Sequence, residues 1–441
     1  MSDDIREYLD DIDRMGLLHR IKRSVSVQYE IAALTAQTKK ALLFENIDGH
    51  DDCRLVTNIV GDRQMFAAAL GVGKTQIHHR MISSIGATAP PDVGGSGHFM
   101  ENTYKSIDTL PIVTHFEKES GPFITSSIVF ASNPETGRQN SSVHRMMPID
   151  GRHLSIRMVE GRHLHRCYMN AKEHGEDLRV AIAVGVHPAI LIAGAYQAEW
   201  GAEEMGIANV IAGGTLRMSP LEWSGLHVPE KTEIVMQGRI LQDVMHEEWM
   251  VEMLQTYDYK REQPVFEVES LHTRDSPIYH DILSGYAEHR LLMGMPVESK
   301  INGALQDTVA TSASLSNGGC NWLHAIVGIK KKSERDAPEI IEKTFSAHRS
   351  LKYVIVVDDD IDINDAEAVE YALATRFQAD RDIIIKQNVR GSSLDPSSDQ
   401  KNLKTAKMGI DATRPLDKRP EGFELARIPN IKNIRLSEYI R

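Results

Sequence analysis

The densest concentration of side chains able to do chemistry lies at residues 137–165. Arg138, Asn140, His144, Arg145, Asp150, Arg152, His153, Arg157, Arg162, His163 and His165 fall within that one stretch. So many cations in an acidic chain point to an anionic ligand, a phosphate or a carboxylate. The plain alternative is a solvated basic face. Carboxylates follow at Glu203-Glu204 and again at Glu247, Glu248 and Glu252. Asparagine, histidine and glutamate form an oxygen-plus-imidazole donor set that suits Mn²⁺ or Mg²⁺ rather than thiolate-seeking metals. An arginine beside two carboxylates can hold one ionised while the other serves as a proton donor. On a helix Glu248 and Glu252 share a face and Glu247 and Glu252 do not, but spacing alone does not choose between them.

Three other motifs fail on inspection. Gly71-Val72-Gly73-Lys74-Thr75 invites a P-loop reading, yet the glycine needed five residues before Gly73 is Ala68. His246-Glu247-Glu248-Trp249-Met250 begins like a zinc-protease helix, but Met250 stands where the second histidine must be. In Asp358-Asp359-Asp360-Ile361-Asp362-Ile363-Asn364 no register supplies both the glycine and the terminal glutamate of a calcium loop. An acidic loop after a buried strand, helping to cap the next helix, is the reading that remains.

The elements that must position the charged region are legible as an α/β pattern. Ile5, Leu9, Ile12 and Leu17 suit a helix with one buried face over residues 5–20. The loop at 88–97, rich in Pro and Gly, marks a boundary. Phe123–Ser132, Leu178–Val186 and Thr232–Ile240 read as strands of a central sheet or barrel. The last third alternates: Tyr353–Val357 as a strand, Ala366–Phe377 as a helix behind Asp365, and Asp382–Lys386 as another buried strand. Strand, helix, strand there implies a parallel βαβ unit with a right-handed crossover. A helix at 337–348 opens with Asp336 three residues before Glu339, a capping-box spacing. These readings divide the chain into an N-terminal α/β domain (1–100), a central β domain (101–290) and a C-terminal α/β domain (291–441).

Composition narrows the function classes. The 441 residues carry 50 Lys+Arg against 62 Asp+Glu, a formal charge of −12, with 41% hydrophobic residues. That excludes a disordered chain and argues against sequence-independent nucleic-acid binding. Cys53, Cys167 and Cys320 are too far apart for a CxxC site or a disulfide framework. The N-terminus is acidic, without the basic start and apolar core of a signal peptide, and no run supplies the ~20 apolar residues of a membrane span. A cytoplasmic protein with no membrane partner is expected.

The order of these residues resembles the UbiD family of reversible decarboxylases that use prenylated FMN. The resemblance rests on Asn140-Ser141-Ser142-Val143-His144-Arg145, then Arg162-His163, then Glu204, then Glu247 with Glu252 five residues later. Supporting matches are Leu110-Pro111, Gly121-Pro122-Phe123-Ile124-Thr125, Pro134-Glu135-Thr136-Gly137, Val228-Pro229, Glu233-Ile234-Val235, Arg274-Asp275-Ser276-Pro277-Ile278-Tyr279 and Val354 to Asp360. It runs from about residue 45 to 415.

The resemblance implies a central split β-barrel holding the cofactor and a C-terminal domain that assembles a homodimer or larger homo-oligomer. Asn140, His163 and Glu204 match the family's positions for a divalent metal, Mn²⁺ or Mg²⁺, that bridges to the cofactor phosphate, with K⁺ as a further candidate ion. Asn140, Ser142, Val143, His144, Arg145, Arg162, His163 and Glu204 match the segments that line the cofactor. Arg145, Glu247 and Glu252 match a Glu–Arg–Glu network in which Glu252 protonates the carbon left after CO₂ departs. A flavin prenyltransferase is implied as cofactor supplier.

His144 stands where some members carry a small residue, and Glu248-Trp249-Met250-Val251 is bulkier than in members acting on cinnamate-like acids. The implied reaction is non-oxidative decarboxylation of an aromatic, heteroaromatic or α,β-unsaturated acid through a covalent substrate–cofactor adduct. An aromatic or heteroaromatic acid is the first choice. The alternative is a small phosphorylated unsaturated acid, as in isoprenoid synthesis, which Lys74, His78, His79 and Arg80 could greet if they fold over the pocket. A flavin-binding module without turnover is the reading from another class, and two retained glutamates argue against it.

Overall fold

Helix α1, Ile5–Arg14, follows from its apolar spacing: Ile5, Leu9 and Ile12 are all buried. Asp4 caps it, its carboxylate accepting the Arg6 N–H at 2.8 Å. The helix ends before residue 20 because Gly16 turns the chain at φ 70° and strand β1, Leu18–Ile21, begins. β1 pairs in parallel with β2, Ala41–Phe44, which runs antiparallel to β3, Arg54–Thr57. Helix α2 spans Ile77–Gly86. This computed structural model describes residues 3–133, 135–196, 198–431 and 433–440; Met1 and Ser2 of the acidic N-terminus and Pro134 of the 134–137 motif lie outside them. Its contacts divide the chain into two units, residues 1–303 with 317–322 and 394–396, and residues 304–316, 323–393 and 397–441.

Within the first unit six antiparallel strands close a barrel: β4 (Ile124–Ser132), β5 (Gln139–Pro148), β6 (His153–Ile156), β7 (Leu178–Val184), β8 (Ile234–Glu248) and β9 (Arg261–Thr273). Around the ring the order is β8-β7-β4-β5-β6-β9, and β9 returns to β8. Alternate residues feed two cores. Val129, Val180, Ile182, Ile234 and Met236 join Leu154, Phe266 and Val268 in one cluster. Ile128, Phe130, Ala181, Ala183 and Val235 join helix residues in another. Burial on both faces explains why these strands read as continuous apolar runs rather than alternating ones.

Helices α3 (His163–Glu173), α4 (Pro188–Ala195) and α5 (Glu204–Ile211) interrupt the barrel strands in sequence. Strand β10, Ile278–His280, then pairs in parallel with β3, so the N-terminal sheet takes its fourth strand from beyond the barrel. Fully buried Glu233 fixes that join: it accepts from Arg6 at 2.7 Å, from Arg274 at 3.0 Å and from the Ile278 N–H at 3.0 Å. Removing one partner of such a buried ion pair costs about 3–5 kcal/mol. Helix α6, Ala287–Leu305, follows.

The second unit is a five-stranded sheet of β11 (Ala310–Leu315), β12 (His324–Ile329), β13 (Tyr353–Asp358), β14 (Ile383–Arg390) and β15 (Lys404–Ala412), in the order β11-β12-β13-β15-β14. A parallel βαβ unit is present, but it is β12, helix α7 (Asp336–Ala347) and β13. The expected partner of β13, the Ile383 strand, lies at the sheet edge, antiparallel to β15, with Ile385 61% exposed. β15, later in the chain, takes the place beside β13. The capping box of α7 does not form; Asp336 accepts instead from the Lys332 and Ser333 N–H groups. Asp365 does cap helix α8, Ala366–Arg376. The acidic loop anchors the other end of that helix, since Asp358 and Asp360 both bond Arg376.

Candidate active site

Strand β5 and the helices after it bring three of the expected residues together. The Asn140 amide nitrogen donates to Glu204 Oε1 at 3.0 Å and lies 3.2 Å from His163 Nδ1, which is 3.6 Å from Glu204 Oε1. Glu204 opens helix α5, and its other oxygen accepts the Ser141 N–H at 3.0 Å. Arg80 of α2 steadies the far end of that helix, donating to the Val210 and Ile211 carbonyls at 3.0 and 3.1 Å. Two ligands at right angles on an Mg²⁺-type cation lie about 3.0 Å apart, so Asn140, His163 and Glu204 are spaced to share one once the amide turns its oxygen inward.

The set is incomplete by itself. Among the described residues no three His, Cys, Asp or Glu side chains converge on a metal position, and Glu204 is the one carboxylate of this trio. A hard divalent cation there needs further oxygens, which a phosphate supplies. A cleft lined by Arg138, Gln139, Asn140, His163 and Trp200 opens beside it.

At the other end of β5, Arg145 forms a network buried inside the protein. Its Nε and Nη2 donate to Glu248 Oε1 at 3.0 and 2.8 Å, and Nη1 donates to Glu252 Oε1 at 2.7 Å. Asp258 lies 3.5 Å from Nη2. The guanidinium is 12% exposed, Glu248 is fully buried and Glu252 remains 23% exposed. Burial disfavours the Arg145 cation, but Glu252 and Glu248 overcome it and hold the group charged. Burial likewise opposes ionisation of Asp258, yet the Arg261 hydrogen bond and charge bring it down to about 2. Glu248 Oε2 is buried with no hydrogen-bond partner among the described residues.

Glu247 does not belong to this network. It is half exposed and paired with Lys260 at 3.1 Å. The segment is the end of strand β8 rather than a helix, so Glu247 and Glu248 point to opposite faces. The side chain that meets Arg145 opposite Glu252 is Glu248.

The chain around Glu252 is tightly held. Glu119 accepts the Val251 N–H at 3.2 Å, and its carboxylate lies 3.7 Å from His115 Nδ1. His115 Nε2 is bonded to Asp281 at 3.0 Å, which also accepts from Thr125. Burial alone would strip His115 of its proton, but Asp281 and then Glu119 raise it to about 10. A Cβ at Gly285, where φ is 75°, would meet Gln255 Cγ at 2.5 Å, so only glycine allows the loop after Glu252 to pack there.

His144 is equally committed. Its Nδ1 is bonded to the Arg157 carbonyl at 2.7 Å and its Nε2 to the Ser142 hydroxyl at 2.8 Å. A carbonyl only accepts, so Nδ1 carries the hydrogen and Nε2 takes the Ser142 proton. Burial lowers the imidazole to about 4 and keeps it neutral. Neither nitrogen is left for a substrate.

Val143 packs against helix α4 near Gly194. Arg162 precedes α3, is exposed, and forms no ion pair among the described residues. Of the four N-terminal cations, His78 is bonded to Glu298 at 3.1 Å and Arg80 to α5, while Lys74 and His79 are exposed. Sequence reasoning named Arg157 only as one cation of the 137–165 stretch, and missed Asp258 and His289 near Arg145 as well as the His115 cluster; no local pattern marks them. His289 accepts the Gly285 N–H at 3.1 Å and is pushed down to about 4 by burial and then by Arg145.

A closed antiparallel barrel thus carries a buried Glu–Arg–Glu network at one end and an Asn–His–Glu donor set at the other, the class of site that a carboxy-lyase can use. The chain belongs to the UbiD family of carboxy-lyases and is a decarboxylase: residues 9–85, 93–287 and 290–412 match the N-terminal, Rift-related and C-terminal domain models of 3-octaprenyl-4-hydroxybenzoate carboxy-lyase. It is 38% identical over 416 residues to anhydromevalonate phosphate decarboxylase of Methanothermobacter thermautotrophicus, covering 93% of this chain and 97% of that one. Identity to the enzyme of the same name from Methanocaldococcus jannaschii is 46% over 328 residues, 74% of this chain and 77% of that one. Among solved structures, the UbiD-class enzyme HmfF from Pelotomaculum thermopropionicum in complex with FMN superposes with a TM-score of 0.94 at 34% identity, covering 99% and 100% of the two chains. An evolved dimeric form of that enzyme, in complex with prenylated FMN, gives 0.92 at 33% identity over the whole of both chains. No helix among the described residues is long and apolar enough to cross a membrane.

Proposed function

We propose that this chain decarboxylates a small α,β-unsaturated acid bearing a phosphate, with prenylated FMN as its cofactor. The observation that carries the reaction is the buried Arg145 guanidinium bonded at once to Glu248 and Glu252. Relatives named anhydromevalonate phosphate decarboxylase favour the phosphorylated acid over the aromatic one. FMN and prenylated FMN in the superposing structures support the cofactor.

In this reading Asn140, His163 and Glu204 hold Mn²⁺ or Mg²⁺, completed by an oxygen of the cofactor phosphate, with K⁺ as a further ion. Ser142, Val143, His144, Arg145 and Arg162 line the cofactor. Bound prenylated FMN supplies the electron sink that an sp² carbanion lacks. The protein's own tasks are orientation, exclusion of water and proton delivery. Arg145 fixes the Glu252 carboxyl group, and Glu252 gives its proton to the carbon that loses CO₂. Glu248, held against Arg145 inside the barrel wall, takes the position in the network that the resemblance implied for Glu247. A cytoplasmic homodimer or larger homo-oligomer, supplied by a flavin prenyltransferase, completes the reading, and the dimeric form of the superposing enzyme supports the assembly.

The test is to produce the chain together with a flavin prenyltransferase and verify the cofactor by absorbance and mass. CO₂ release and deuterium incorporation from D₂O are then followed with phosphorylated anhydromevalonate, a hydroxybenzoate and a furoate. Deuterium at the carbon that lost CO₂ is expected with the phosphorylated acid. Turnover of an aromatic acid alone by fully loaded enzyme would replace this substrate assignment.

A further inference from the structure

Arg145 has a neighbour of its own charge. In the β5–β6 ladder Met146 faces Ile156, and one step further the Arg157 N–H donates to the Arg145 carbonyl at 3.0 Å. Residues directly opposite in an antiparallel pair share a face, and like charges placed so destabilise the sheet. Arg145 is neutralised by Glu248, Glu252 and Asp258. Arg157 is not: its Nη1 donates to the Met158 carbonyl at 2.9 Å, and among the described residues it forms no ion pair with a carboxylate. It is half-buried. A guanidinium kept there beside Arg145 and Arg261, with Asp258 and Glu248 acting on it only from beyond ion-pair distance, is placed to receive an anion that the chain does not provide.

Two candidate anions can be set aside. The cofactor phosphate belongs at Asn140 in the reading above, and five residues of strand separate Asn140 from Arg145, about 17 Å at 3.4 Å per residue. The carboxylate that leaves as CO₂ is a poor ligand for a strong cation, because gripping it would stabilise the ground state more than the transition state. The anion that gains from such a grip is one that persists through the reaction. We infer that Arg157 binds the second, non-reacting anionic group of the substrate, the phosphate of an unsaturated phosphorylated acid, and so sets substrate choice. This rests on the substrate class proposed above. Burial, Arg145 and Arg261 lower Arg157 by more than Asp258 and Glu248 raise it, so the cation gains from a ligand anion.

The test uses the full chain loaded with unmodified FMN, which binds without turnover, and reads flavin absorbance and fluorescence on titration. The probes are the phosphorylated unsaturated acid and the same acid with a hydroxyl in place of phosphate, against wild type, Arg157→Gln and Arg157→Lys. Wild type is expected to bind the phosphorylated acid roughly 10- to 100-fold more tightly than the hydroxyl analogue. Arg157→Gln should bring that ratio near one, and Arg157→Lys should retain part of it with a steeper salt dependence. Melting temperature and FMN affinity identify any variant that has merely lost its fold, in which case the Lys variant decides. Equal weakening of both acids, or a wild type that does not discriminate, overturns the inference. Failure of the prenylated enzyme to release CO₂ from either acid would instead overturn the proposed function, with the binding ratio still deciding Arg157.

Discussion

At its start, strand β5 presents Asn140 to one carboxylate and one imidazole; five residues later, Arg145 faces Glu248, Glu252 and Asp258 and lies beside Arg157. The first end is short of charge, and in the proposed reading it takes both a cation and an anion from outside. The second already balances its charges within the protein, Arg145, Arg157 and Arg261 standing among Glu248, Glu252 and Asp258, with Arg157 alone outside ion-pair distance of a carboxylate. A site that waits for ligands is a binding site, and a site whose carboxylates are already oriented is prepared for proton transfer.

The comparison breaks most sharply at the network end. Glu252→Gln should lower kcat by about 10²–10⁴-fold with prenylated FMN still bound by its spectrum. Glu248→Gln should cost roughly 10²-fold, whereas Glu247→Gln, on the outer face, should stay within about twofold; a large Glu247 effect would reverse the assignment made from the strand geometry. At the phosphate end, Asn140→Ala or Glu204→Gln should weaken metal and flavin retention together, by on the order of 10- to 100-fold. Metal analysis and flavin absorbance after gel filtration measure this, and unchanged retention would remove the distinction between the two ends.

The smallest effect concerns the support beneath Glu252. His115 faces Asp281 and Glu119, and its folded value of about 10 lies above the ordinary imidazole value near 6.5. Its contribution is therefore complete below pH ~6.5 and is lost as pH rises through about 10, on the order of a few kcal/mol across that window. Denaturant unfolding of wild type should show this decline, and His115→Gln should flatten it. Parallel slopes for the two proteins would show that the cluster is not charged.

Much of the barrel was legible because its strands are apolar on both faces, as Val180–Val184 is, and because Asn140, His163 and Glu204 sit in sequence blocks that the family order preserves. The misread glutamate has another cause. The five-residue spacing of the resemblance selects Glu247, whereas a helical i,i+4 face groups Glu248 with Glu252 and the observed strand puts Glu248 with Arg145. Asp258 and His115 were invisible because their partners are distant in sequence: Asp281 lies 166 residues from His115. The order of the C-terminal strands escaped for a related reason. Apolar runs announce β13 and β14, but only long-range pairing seats the mixed strand β15 between them.

The irregularity in β8 has a consequence of its own. Ile240 is paired with Phe266 and Met245 with Pro264, so five steps on one strand are matched by two on the other, with Asp243 at φ 61° in the excess. The surplus is an odd number of residues, and side chains alternate with every step. Whether a glutamate arrives inside the barrel or outside it is thus a matter of parity. Deleting one residue from 241–244, with the strand before it held, would put Trp249 where Glu248 now meets Arg145 and turn Glu248 onto the outer face where Glu247 now stands. Length changes in that bulge keep Glu248 on the inner face only in pairs, which makes an unremarkable surface turn the counting device of the active site.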